Sequence, residues 1–212
     1  MQQTLAVTME GQDYSVVLLD LDLFKQVNDS YGHKAGDQVL HEVAEILATS
    51  LPSKAIVSRY GGEEFLIVLP NTMHNETMTI SEQIRARISQ HIIKTDEGCS
   101  FRMTASLGLY TLTSDELDRI KEKHFSKEKL NSIAKFKPKL MLPRFKSPEF
   151  NQHKTNLLTE SLSASQQQLP NDICQYLISV ADKALYKAKN MGRNQVVSAN
   201  EMLAAGILDN IN

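Results

Sequence analysis

Residues 55–69 read Ala55-Ile56-Val57-Ser58-Arg59-Tyr60, then Gly61-Gly62, then Glu63-Glu64-Phe65-Leu66-Ile67-Val68-Leu69. Two β-branched, apolar runs joined by a Gly-Gly pair predict a β-hairpin, with the glycines supplying the positive φ angles that tight turns need. Working outward, Tyr14 to Leu19 is a β-branched and Leu-rich run that stops at Asp20-Leu21-Asp22. It predicts a buried strand with carboxylates at its C-terminal end. Between strand and hairpin, the polar Asn28-Asp29-Ser30-Tyr31-Gly32-His33 predicts a turn. Val39, Leu40, Val43, Ile46, Leu47 and Leu51 then recur at helical spacing, predicting an amphipathic helix over roughly 36–51 that Pro52 stops.

Beyond the hairpin, Met78, Ile80, Ile84, Ile88 and Ile92 mark a second helix. Phe101, Met103, Ala105 and Leu107 alternate with Arg102, Thr104 and Ser106, predicting a half-exposed strand. A further helix is expected from about Asp172 to Asn190, followed by a short strand at Val196-Val197 and a weak terminal helix around 201–208. Strands alternating with helices, with one hairpin among them, predict an α/β sandwich built on a mixed sheet.

Residues 114–170 do not fit this rhythm, because connections longer than about 15 residues are uncommon inside a compact domain. The first half is basic from Arg119 to Lys146, and the second is Ser/Gln-rich around Ser161 to Gln168. The stretch reads as a Lys-rich, partly disordered insertion, helical over 115–135, within a single domain spanning 1–212. With 212 residues and a net charge of -2 the chain has no global attraction to nucleic acid or membrane. No apolar run is long enough to span a bilayer, and no signal peptide opens the chain. Cys99 and Cys174 lack metal-ligand spacing and read as buried free thiols, as expected in a reducing cytoplasm.

The chemistry concentrates where acidic residues meet strand ends. Asp20 and Asp22 close one strand and Glu63 and Glu64 open another, so adjacent strands would bring their carboxylates together. Converging carboxylates suit a hard divalent cation, which takes oxygen ligands. A hairpin tip made only of glycine lets a phosphate-bearing ligand approach the backbone.

These residues, in this order, resemble a known family. The run Asp20-Leu21-Asp22-Leu23-Phe24-Lys25-Gln26-Val27-Asn28-Asp29, with Gly32-His33 and Gly36-Asp37, is similar to the first signature of GGDEF-domain diguanylate cyclases. Arg59-Tyr60-Gly61-Gly62-Glu63-Glu64-Phe65 matches the motif that names the family, in a Gly-Gly-Glu-Glu-Phe variant. Thr104 to Gly108 resembles a later strand, and Ala181 to Asn194 resembles the closing helix and turn.

The resemblance implies a nucleotidyl-cyclase and polymerase-palm-like sandwich with a βαββαβ core. It implies condensation of two GTP into cyclic di-GMP by a homodimer of half-sites, with Mg²⁺ or Mn²⁺ as cofactor. Asp20, the Leu21 carbonyl and Glu63 would hold the metal. Glu64 would complete the acidic cluster, and the general base is assigned to Glu63 with Glu64 as rival. Lys25 would stabilise transition-state charge, and Lys189 and Arg193, projecting together from a helix C-terminus, would grip the β- and γ-phosphates. Phe24 and His33 would line the nucleotide pocket. Asp37 can accept from the adjacent N1–H and 2-amino donors of guanine and would repel adenine, with Asn28 as the second base reader.

Three departures from the family pattern carry expectations. No counterpart of the family's opening helix precedes Tyr14, so the start reads as truncated and an upstream sensory or regulatory domain is expected outside this chain. Pro52 and Ala55 stand where many relatives carry the Arg and Asp of a product-inhibition site, so no feedback inhibition is expected there. The Lys-rich insertion is the third. The competing reading is a catalytically weak or silent module that binds GTP or cyclic di-GMP and acts through a partner.

Overall fold

The hairpin and the Asp20 strand are neighbours in one five-stranded sheet. A computed structural model describes residues 12–95, 98–125 and 164–208, with backbone alone at 121–125 and 164–172. Strand β1 (Tyr14–Leu21) pairs antiparallel with β3 (Glu64–Pro70), and β3 pairs antiparallel with β2 (Ile56–Arg59). On its other side β1 pairs antiparallel with β6 (Ala105–Leu112), and β6 pairs parallel with β7 (Val196–Ser198). The order is β2-β3-β1-β6-β7, the expected mixed sheet with a βαββαβ core.

Residues alternate between two apolar layers, as strand geometry requires. Val17, Leu19 and Leu21 of β1 point toward α1 (Phe24–Ser50) and α2 (His74–Gln90), where Val39, Val43, Leu47, Ile84 and Ile88 cover them. Val16 and Leu18 point the other way, against Leu177, Val180, Ala181, Ala184 and Leu185 of α4 (Ala164–Asn190). Helix α3 (Ser114–Phe125) adds Leu117 to that second layer, and α5 (Ala199–Ala204) adds Met202. At Gly108 the backbone of α4 lies directly against the sheet. A Cβ there would collide with the Leu185 and Ala181 backbone, so only glycine lets this helix seat.

Several details depart from the sequence-based expectations. Helix α1 begins at Phe24, not near residue 36, and the expected turn is a one-residue break at Gly32, with φ 79° and ψ 164°. That conformation is essentially confined to glycine, so the chain bends there and resumes the helix. Gly61 and Gly62 do not adopt positive φ among the glycines of the structure. Gly61 instead leaves room for the Glu64 carboxylate, which a Cβ there would displace.

Strand β6 is buried along its whole length, not half-exposed. It lies between β1 and β7 with helices on both faces, and its Ser and Thr side chains are hydrogen-bonded inside. Phe101 instead belongs to a separate two-stranded ribbon, β4 (Ile93–Lys94) with β5 (Ser100–Phe101). Cys99, next to that ribbon, is exposed, whereas Cys174 is a buried free thiol whose pKa burial pushes up to about 11.

Helix α4 starts eight residues earlier than the expected Asp172 and runs through Pro170. A proline inside a helix removes one ladder bond, and the packing from Ile173 onward outweighs it. Of the expected 114–170 insertion, 114–125 and 164–170 are helical, and the remainder lies outside the described residues, as does most of the start before Tyr14.

Candidate active site

The bend at Gly32 folds the first two turns of α1 against its continuation and opens a cleft of about 400 Å³ beside the hairpin. Phe24, Lys25, Asn28, His33 and Asp37 line it from α1, and Glu63 from the hairpin tip. Six of the residues singled out in the sequence therefore meet in one space. Gly62 of the all-glycine tip lines it as expected, and Leu40 and Arg59 line it as well, which the sequence reading does not single out. Leu40 belongs to the apolar stripe of α1 and signals only core. Arg59 carries a signal in its position two residues before a pair of side-chain-free residues. Its Nε donates to the Gly61 carbonyl at 3.2 Å and the Gly62 carbonyl at 3.0 Å, bracing the tip of the hairpin.

Asn28 is held in the cleft by Gly36. A Cβ at Gly36 would overlap the Asn28 amide oxygen, so the second half of α1 leaves room for that side chain. The exposed Asp37 follows directly.

A second cluster sits on the α4 side of the sheet. Asp20 lies opposite Glu64 in the β1–β3 register, so their side chains leave the same face. Glu63 precedes β3 and faces the cleft, although its carbonyl accepts from the Leu21 N–H at 3.2 Å. The strand partner of Asp20 is thus Glu64, while Glu63 joins the cleft to the acidic corner through the backbone of Leu21. Lys189, in the last turn of α4, places its ammonium nitrogen 2.8 Å from Asp20 Oδ2. Arg193 is not on the helix: it follows the end of α4 in a turn and has a φ of 65°. Its charge, like that of Lys189, lowers the Asp20 pKa, but it does so from the turn and not from a common helical face.

Burial raises the Asp20 pKa above its ordinary value, and the neighbouring Asp22 adds to this, against the lowering effects of Lys189 and Arg193. Burial also raises Glu64, reinforced by the charges of Asp20, Asp182 and Glu63, with Lys189 opposing. A buried carboxylate beside a partly buried one, both resisting ionisation, makes a corner that favours an added cation. Every donor there is an oxygen, which suits a hard divalent ion. Among the described residues no three His, Cys, Asp or Glu side chains close around one point by themselves.

Asp22, grouped with these carboxylates by sequence, plays another part. It is buried, accepts from Ser106 Oγ and Thr104 Oγ1 at 2.7 Å each, and accepts from the Asn194 N–H at 3.0 Å.

A sequence model of the family described as "Diguanylate cyclase, GGDEF domain" matches residues 1–124. The chain is 38% identical over 98 residues to diguanylate cyclase DosC of Escherichia coli K12, covering 46% of this chain and 21% of that protein. It is 40% identical over 101 residues to diguanylate cyclase A of Treponema denticola, covering 48% of this chain and 27% of that one. The chain thus spans about a fifth to a quarter of the length of these curated relatives. Its fold resembles the GGDEF domain of DgcB from Caulobacter crescentus, solved in complex with c-di-GMP, with a TM-score of 0.60 at 24% identity over 90% of this chain and 80% of that one. It also resembles diguanylate cyclase SiaD of Pseudomonas aeruginosa, solved with its activator SiaC, with a TM-score of 0.61 at 25% identity over 93% of this chain and 56% of that one.

Proposed function

The chain belongs to the family of GGDEF-domain diguanylate cyclases, and on that premise we propose that it condenses two GTP into cyclic di-GMP with release of two pyrophosphates. The observation that carries this reading is the meeting of Phe24, Lys25, Asn28, His33, Asp37 and Glu63 in one cleft, adjoining the corner of Asp20, Glu64 and Lys189.

In this reading Asp37 accepts from the N1–H and 2-amino groups of guanine, and Asn28 reads the same base from across Gly36. Phe24 supplies apolar contact, and His33 closes the rim. Lys25, Lys189 and Arg193 distribute positive charge along the triphosphate. Phosphoryl transfer depends mainly on such positioning and charge stabilisation. The 3′-oxygen of one GTP forms a bond to the α-phosphorus of the other, the bond from that phosphorus to the bridging oxygen breaks, and pyrophosphate leaves. Glu63 takes the hydroxyl proton. Glu64 is the rival base, favoured by its raised pKa. Asp20, the Leu21 carbonyl and Glu63 would hold Mg²⁺, with Mn²⁺ as the substitute. Bound there, the ion supplies neutralisation of phosphate charge and acidification of the attacking hydroxyl.

Because each domain holds one GTP, turnover requires two copies facing each other, with a homodimer as the working unit and control from a domain outside this chain. No described helix is long and apolar enough to cross a membrane, and we place the reaction in the cytoplasm. With Pro52 and Ala55 in place of an Arg and an Asp, we expect no product inhibition at that position. The competing reading, a silent GTP or cyclic di-GMP binding module, draws support from the Lys189–Asp20 pair, which occupies one of the metal-facing carboxylates. Incubation with GTP and Mg²⁺, with the products separated by chromatography, tells the two apart. Cyclic di-GMP with pyrophosphate supports the cyclase, whereas nucleotide bound and released unchanged supports the module.

A further inference from the structure

Met191 to Asn194 form the turn that carries Arg193 back from α4 toward the sheet. Three consecutive residues there have positive φ: Gly192 at 112°, Arg193 at 65° and Asn194 at 47°. Asn tolerates this left-handed conformation but Arg193 is strained in it, so contacts elsewhere must hold the turn. The Arg193 N–H donates to the Ala188 carbonyl at 3.1 Å, which ties the turn to its own helix. Arg85 Nη1 of α2 donates to Asn194 Oδ1 at 2.9 Å.

The contact with the strand that bears Asp20 is made by Asp22. Its Oδ2 accepts from the Asn194 N–H at 3.0 Å and from Thr104 Oγ1 at 2.7 Å, and its Oδ1 accepts from Ser106 Oγ at 2.7 Å. Its own N–H donates to the Thr104 carbonyl at 2.9 Å. Only 6% of Asp22 is exposed, and its two oxygens are thus engaged by protein donors. One carboxylate, two residues after Asp20, joins three segments far apart in sequence: the end of β1, the start of β6, and the turn between α4 and β7.

We propose that Asp22 is a positioning residue for the phosphate grip: through the Asn194 amide it fixes Arg193, and with it the end of α4 bearing Lys189, against the strand that carries Asp20. It does not serve as a ligand to the divalent ion. This rests on the reading of Lys189 and Arg193 as phosphate-binding groups.

The chemistry of its partners gives a sharp test. In Asp22→Asn the amide oxygen can take the place of Oδ2 and accept from the Asn194 N–H and Thr104, while its NH₂ donates to Ser106 Oγ, a hydroxyl that also accepts. The geometry survives and the charge is lost. In Asp22→Ala both are lost. Kinetics with GTP and Mg²⁺ should show KM raised about tenfold or more in Asp22→Ala with a smaller change in kcat, and KM within about threefold of wild type in Asp22→Asn, as removal of uniform binding requires. In an Arg193→Ala background, Asp22→Ala should add little, because the two act on the same grip. Hydrogen exchange at the Asn194 amide should accelerate in Asp22→Ala and stay protected in Asp22→Asn.

Should Asp22→Ala fail to fold, Asp22→Asn alone decides. A tenfold or larger loss of Mn²⁺ affinity in that nucleotide-free variant, followed by electron paramagnetic resonance, would show a metal ligand and overturn the proposal. So would additive effects of Asp22→Ala and Arg193→Ala. If wild type binds no GTP at all, the phosphate-grip reading fails, and the exchange at Asn194 still reports whether Asp22 holds the turn.

Discussion

The ammonium of Lys189 lies 2.8 Å from Oδ2 of Asp20, so a group expected to grip phosphate and a group expected to face the cation hold each other. The pair is well sheltered, with 32% of the Lys189 side chain and 10% of the Asp20 side chain exposed. Lys189 thus supplies a positive charge to the acidic corner, and in the proposed reaction the two part when nucleotide and cation bind.

Lys189→Met should then move two affinities in opposite directions. Without a competing ammonium, nucleotide-free protein should bind Mn²⁺ about tenfold more tightly, roughly 1.4 kcal/mol. GTP should bind more weakly by a similar factor, through the loss of a charge-assisted contact. Titration calorimetry on each ligand separately checks both signs. A loss of Mn²⁺ affinity in the variant would contradict the account.

The acidic corner also predicts a pH dependence of stability in metal-free protein. Burial raises Asp20 and Glu64 above their ordinary values of 3.8 and 4.5. Between those values and the raised ones the folded chain binds more protons than the unfolded chain, so this contribution to stability falls as pH rises through the window. Below the window both states are protonated, and above it the loss is complete. Glu64→Gln should therefore be more stable than wild type near neutrality, with the gain shrinking as pH falls toward about 4. Urea unfolding of both proteins across that range, without divalent ions, measures the difference. A gain that grows toward acid would have the wrong sign.

Gly36 sets the position of Asn28, because a methyl group there would overlap the amide oxygen. Gly36→Ala displaces a flexible side chain and not backbone, so the fold should persist while base reading suffers. GTP affinity should fall about tenfold, the worth of one hydrogen bond of about 1.4 kcal/mol, and the preference for GTP over ATP should narrow. Competition binding with the two nucleotides checks this, and an unchanged preference would remove Asn28 from base reading.

What the sequence made legible was local. The strand ending in Asp20 and the hairpin before Phe65 each announce themselves by composition and by an abrupt change to acidic residues, and the sheet pairs them as neighbours. The helical start of α1 was hidden because Asn28 to His33 has turn chemistry throughout, yet only Gly32 leaves helical geometry. The full burial of β6 was hidden because Ser106 and Thr111 look solvent-facing until their partners Asp22, Ser15 and Asn200 are in place. The role of Asp22 depends on Thr104, Ser106 and Asn194, which lie 82, 84 and 172 residues away. No periodicity or motif spacing encodes contacts at that range. The Lys189–Asp20 pair was missed for the same reason, since each residue was assigned separately to its own ligand.

In the proposed reaction the hairpin glutamate in the cleft acts on GTP bound by the residues around it. The most direct measurement is the rate of cyclic di-GMP formation from GTP and Mg²⁺ by wild type and by Glu63→Gln, with GTP affinity determined alongside. Wild type should form cyclic di-GMP, and Glu63→Gln should form none while binding GTP within about tenfold of wild type, because the group acts on the transition state more than on the bound ground state. Undiminished synthesis by Glu63→Gln would contradict the account.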